Sequence, residues 1–321
     1  MFAAFLAKAP RPYPELAKLV AYYGSRRNTP EVLYLGDSVL ERISWSDKDK
    51  RTLDRMVAAR LTDKMGLLSI SHSAYHLKVY YHLLQILKVT DRKPRLVILP
   101  INMRSFSPQW NLNPAWQFED EIDALKKYVE TPGSKIPVLP EKADHVPPTE
   151  VERMVEVKYP FTELNYLGEF YDLIKDSPSM EDEKRYRKKQ IYIFHYLYQL
   201  LPVNPRLLFL TKIIELLCEL NINLLVYITP INYQGGNRYL GSDFIKLFQE
   251  NVGVVRDILS PFLERGTVHF LDIGQLLSSE YFFNVDEATE HLNQHGREQV
   301  AKVIANEVLL MDIKRNGVYS L

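Results

Sequence analysis

The chain has 321 residues, with 40 Lys and Arg balanced by 40 Asp and Glu, and 46% of it is hydrophobic. Zero net charge removes the electrostatic case for nucleic acid or an anionic membrane surface as the main partner, and a single Cys excludes an internal disulfide or a Cys-based zinc site. Apolar content at this level, with 20 tyrosines, excludes disorder, so the chemistry falls to Ser, His, Asp, Glu and Asn.

At the amino terminus a short apolar run is interrupted by Lys8, Pro10, Arg11 and Pro12, so no secretory signal is evident. Nor does any stretch approach the roughly 20 apolar residues of a membrane helix. A cytoplasmic location is the expectation, although a chain trimmed of its leader would read the same.

Short apolar runs bounded by breakers predict buried parallel strands at Val32–Leu35, Leu67–Ile70, Leu96–Leu99, Asn223–Ile228 and Val268–Asp272. Helical spacing occupies Lys50–Met65, Leu77–Leu87, Arg206–Leu220, Ser242–Leu263 and Gln294–Leu310. The alternation predicts a flavodoxin-like three-layer α/β/α sandwich on a mostly parallel five-stranded sheet, with chemistry at the carboxyl ends of the strands.

Residues 105–205 break the rhythm with a Pro-rich stretch, a charged tract from Glu181 to Lys189 and the aromatic run Tyr192–Tyr198. So long an interval without a strand is more than a connection. It is expected to be a mainly helical insertion, or cap, within one domain spanning residues 1–321.

The sharpest local feature is Gly36-Asp37-Ser38 at the end of the first strand. Glycine permits a tight strand-to-helix turn, and a serine there presents its hydroxyl at the sheet edge. A serine that only caps the next helix is the plainer alternative. Three further stretches reach the same region: Ser71-His72-Ser73-Ala74 after the second strand, Pro100-Ile101-Asn102-Met103-Arg104 after the third, and Glu290-His291-Leu292-Asn293-Gln294-His295-Gly296 before the last helix. Together they could supply a nucleophile, a general base and oxyanion donors.

These blocks resemble the SGNH (GDSL-type) hydrolase superfamily, over about residues 30–105 and 220–310, and within it the branch that acylates or deacylates polysaccharides. The resemblance implies Ser38 as nucleophile, His291 as base, and an oxyanion hole from Ser38 N–H, an N–H near Ser73-Ala74 and the Asn102 amide. Ala74 stands at or next to the place where the family has glycine. The family's acid lies three residues before the histidine, which here is Ala288. Asp286 is the first candidate to replace it, Glu287 the second, and a Ser–His dyad the third arrangement, while Glu290, adjacent to the histidine, would point the other way.

Arg104 could hold an anionic substrate group or pair with a carboxylate of the insertion. Trp45, Trp110 and Trp116 follow site strands, where aromatic faces suit sugar rings but more often pack. His72, His76 and His82 have no acidic partner to complete a metal set, Cys218 reads as core, and Asp37 reads as a turn organiser. The expectation is an esterase or O-acyltransferase working on a small-molecule or carbohydrate ester, with no cofactor, metal or nucleic acid and no integral membrane segment. A catalytically silent binding or assembly module on the same fold is the alternative, and the oligomeric state is open.

Overall fold

The structure, a computed structural model, describes residues 12–24, 30–61, 65–112, 116–139, 150–154, 156, 164–175 and 180–317. Its strands are β1 (Val32–Gly36), β2 (Leu67–Ser71), β3 (Leu96–Ile101), β4 (Asn223–Ile228) and β5 (Val268–Asp272). They form one sheet in the order β2-β1-β3-β4-β5, with every pairing parallel. That order is flavodoxin-like and places the topological switch point between β1 and β3.

The helices are α1 (Pro14–Tyr23), α2 (Ser38–Glu41), α3 (Leu53–Ala58), α4 (Leu77–Gln85), α5 (Pro108–Leu112), α6 (Glu119–Glu130), α7 (Glu150–Arg153), α8 (Leu167–Lys175), α9 (Glu181–Tyr196), α10 (Leu208–Glu219), α11 (Tyr233–Leu240), α12 (Ser242–Leu263) and α13 (Gln294–Gly317). Side-chain alternation divides the core into two layers. On one sheet face Leu33, Leu35, Val97, Leu99 and Val226 pack with α1, α4, α10 and α12. On the other, Val32, Tyr34, Ile98, Leu225 and Tyr227 pack with α3 and α13. Parallel strands covered on both faces must be apolar throughout, which is why β1 and β3 are buried at every position.

Within residues 105–205, Ile122 and Leu125 of α6 and Tyr192 and Tyr196 of α9 join the first of these layers. Much of the charged tract from Glu181 to Lys189 forms the exposed first half of α9. The Pro-rich stretch lies largely outside the described residues. The predicted Lys50–Met65 helix is shorter, Leu53–Ala58. Its expected first residues, 50–52, are irregular: Thr52 is extended as the N-cap, and the Arg51 carbonyl accepts from Arg297 Nε of the last helix at 3.1 Å instead of opening a helical turn.

Candidate active site

Gly36, Asp37 and Ser38 leave the end of β1 and turn directly into α2. A Cβ on Gly36 would lie 2.5 Å from Leu40 Cδ2, so the glycine lets the first turn of α2 fold back over the strand end. Asp37 caps α2: its Oδ1 accepts the Val39 N–H at 2.8 Å. Ser38 is the first residue of α2, where N–H groups have no partner inside the helix, and its amide is therefore available to an anion.

Ser38 Oγ lies 3.0 Å from His291 Nε2, although 253 positions separate the two residues. The hydroxyl and the ring are thus in direct hydrogen-bond contact at the carboxyl edge of the sheet. Desolvation, with the nearby charges of Arg104 and Arg42 as lesser causes, holds the His291 imidazole down to a pKa of about 4. The ring is neutral at pH 7 and can accept a proton from Ser38.

Asn102, at the end of β3, is anchored at both ends of its amide. Nδ2 donates to Asp37 Oδ2 at 2.9 Å, and Oδ1 accepts the Arg104 N–H at 3.1 Å. Nδ2 carries two hydrogens, so one remains for a ligand. Burial pushes the Asp37 carboxyl up to a pKa of about 6, against the lowering effect of its bonds from Val39 and Asn102. Ala74 follows β2 with φ of +69°, a left-handed conformation natural to glycine. Of the two candidate positions, Ala74 and not Ser73 has positive φ, and among the described residues the Ala74 N–H donates no hydrogen bond.

The structure corrects the expectation for the acid. The Asp286 carboxylate points to the surface, where it pairs with Arg238 and, at 3.9 Å, with Lys188. Arg238 and Lys188 offer that carboxylate positive charge, whereas the His291 ring is neutral. Glu287 is likewise turned away, accepting from Asn284 Nδ2 at 2.7 Å. Among the described residues no carboxylate reaches His291 Nδ1.

Arg104 also differs from its substrate-binding expectation. Its guanidinium donates to Glu290 Oε1 at 3.0 Å and to the Ala288 carbonyl at 2.9 Å, while Tyr196 also donates to Glu290. The partner is Glu290, on the histidine loop, rather than a carboxylate of the insertion. Trp110 stacks on Trp116 with ring centroids 4.1 Å apart and serves packing, whereas Trp45 is 93% exposed. His76 is buried, and its Nε2 bonds the Trp116 carbonyl at 2.9 Å. Cys218 packs against the core as expected.

Asn232, fully buried beyond β4, was absent from the sequence-based candidates. Its Nδ2 donates to the carbonyls of Val285 and Glu287, and its Oδ1 accepts from Ser279 Oγ and the Gly235 N–H, so it ties down the loop that leads to His291. A signal was present: Pro230-Ile231-Asn232 just past β4 repeats Pro100-Ile101-Asn102 at the end of β3.

No family model and no curated relative matches the chain. Solved structures that resemble it include an acetyl-xylooligosaccharide esterase from Geobacillus stearmophilus, at 12% identity and a TM-score of 0.41, covering 88% of this chain and 94% of that one. An aryl esterase of M. smegmatis has 12% identity and a TM-score of 0.39, with 88% and 99% coverage. A carbohydrate acetylesterase family member from Sinorhizobium meliloti has 11% identity and a TM-score of 0.37, with 88% and 98% coverage.

Proposed function

We propose that this chain is an SGNH-type serine esterase or O-acyltransferase that works through an acyl-enzyme, on an acylated carbohydrate or polysaccharide. The observation that carries the reading is the 3.0 Å contact between Ser38 Oγ and His291 Nε2 beside an aimed Asn102 amide. His291 Nε2 takes the Ser38 proton as Oγ attacks the acyl carbon. The resulting oxyanion is met by the Ser38 N–H, the Ala74 N–H and the second Nδ2 hydrogen of Asn102. Collapse breaks the ester C–O bond, and the leaving alkoxide takes the proton back from His291. Water or a sugar hydroxyl then repeats the sequence on the acyl-enzyme, losing its proton to His291 and releasing Ser38. The carbohydrate part of the reading rests on Trp45, an exposed aromatic face on the segment after α2.

The silent module is the second reading, favoured by the lack of a carboxylate at His291 Nδ1 among the described residues. A fluorophosphonate probe and p-nitrophenyl acetate separate the two. The esterase reading expects covalent labelling and hydrolysis that both disappear in Ser38→Ala. A native chain that neither labels nor hydrolyses the ester would establish the silent module.

A further inference from the structure

With no carboxylate on Nδ1 among the described residues, the His291 ring takes its orientation from the backbone that carries it. Two arginines, half-buried Arg104 and buried Arg297, grip that backbone on either side. Before the histidine, Arg104 holds the Glu290 side chain and the Ala288 carbonyl. After it, Arg297 donates from Nη1 to the Leu292 carbonyl at 2.8 Å and to Asp47 Oδ2 at 2.7 Å, from Nη2 to the Asp49 carbonyl at 2.9 Å, and from Nε to the Arg51 carbonyl at 3.1 Å.

Arg297 and Asp47 are the innermost ion pair among the described residues, with side chains 0% and 3% exposed. The acceptors of Arg297 belong to two places only: Asp47, Asp49 and Arg51 on the segment that follows Ser38 and α2, and Leu292 next to His291. Asp47 adds a second tie by accepting the Gln294 N–H at 3.0 Å. A planar guanidinium with fixed donor directions acts here as a rigid bracket between the two halves of the reacting pair.

We infer that Arg297, together with Asp47, is a positioning residue: it fixes His291 against the Ser38 segment through the Leu292 carbonyl, doing from the backbone what a triad acid does through Nδ1. The inference rests on the serine–histidine reading above. A plain structural staple would lower stability alone, whereas loss of this bracket should also slow the reaction of Ser38 in protein that is still folded.

The test is the second-order rate of fluorophosphonate labelling at Ser38, normalised to folded protein by circular dichroism and measured well below each thermal transition. Variants are Arg297→Lys, Arg297→Met, Asp47→Asn and the Met/Asn double variant. The expected loss is about 10- to 100-fold for Arg297→Met and Asp47→Asn, the scale of a small misplacement of reacting groups. Arg297→Lys should retain part of the rate, and the double variant should be about as slow as Arg297→Met, since that change already removes the bond Asp47 makes to the guanidinium. If Arg297→Met fails to fold, the isosteric Asp47→Asn and the charge-conserving Arg297→Lys carry the test. Folded variants that label at the native rate, whatever their change in Tm, overturn the inference and leave the esterase reading standing. A native chain that takes no label overturns the esterase reading and the inference with it.

Discussion

Asn102 Nδ2 donates to Asp37 Oδ2 at 2.9 Å, so the residue that follows β3 is aimed by the residue between the neighbouring strand β1 and Ser38. The bond spans the switch point of the sheet, where adjacent strand ends diverge and leave room for a ligand. Asn102→Ala should therefore cost about 10² to 10³ in kcat, the range for loss of one oxyanion donor. Asp37→Asn should also lower kcat with KM little changed, because its new amide can face the Asn102 amide donor to donor. Steady-state kinetics on p-nitrophenyl acetate check both.

Asp286 and Glu290 should separate cleanly. Asp286→Asn breaks an exposed pair with Arg238, worth about 0–1 kcal/mol, and should leave hydrolysis close to native. Glu290→Gln removes the counter-charge of half-buried Arg104, and should cost more than that, up to about 3 kcal/mol, the lower end of the range for a fully buried pair that loses one member. Thermal unfolding and ester hydrolysis measured on the same preparations would read the contrast. Loss of activity in Asp286→Asn would return the acid's role to that residue.

The pH dependence follows from two opposed groups. The base must be neutral, and His291 is held near a pKa of about 4, chiefly by desolvation. The acid limb of kcat/KM should therefore lie near pH 4, with the rate rising through it and level at neutral pH. A limb at about 6.5, the ordinary histidine value, would show a solvated ring. For stability, the His291 contribution is present above the unfolded value and is lost as pH falls toward about 4. Asp37, raised by burial to about 6, acts the other way: its contribution is full below the unfolded carboxylate range and is lost as pH rises through about 6.

Two backbone positions test the local geometry. A Cβ on Gly296 would lie 2.3 Å from the Tyr281 carbonyl oxygen, a backbone atom with little freedom to retreat. Gly296→Ala should destabilise by about 1–3 kcal/mol, as overpacking does, and should reduce activity by pushing on the first turn of α13 beside His291. Ala74 presents the opposite case, a Cβ held at φ of +69°. Ala74→Gly should raise stability by up to about 1 kcal/mol by relieving that strain, offset in part by glycine's entropy, with activity retained. Chemical denaturation of both variants measures the two signs.

Sequence alone determined the sheet and one end of the chemistry. Runs such as Leu96–Leu99 and Asn223–Ile228 are apolar at successive positions because parallel strands are covered on both faces, and that pattern survives in a single chain without any partner in view. Ser38 and Asn102 were legible as neighbours for a related reason: each follows an apolar run, and topology brings such ends to one edge, whereas His291, far beyond β5 and just before α13, entered only through the resemblance. Tertiary structure alone decided which charges meet. Asp286 and Glu290 are four residues apart in the same loop, yet one pairs with Arg238 and Lys188 near the surface and the other with half-buried Arg104. Asp47 and Arg297, 250 positions apart, form the innermost ion pair among the described residues. Ion pairing depends on distance and burial in three dimensions, and neither periodicity nor spacing along the chain encodes it.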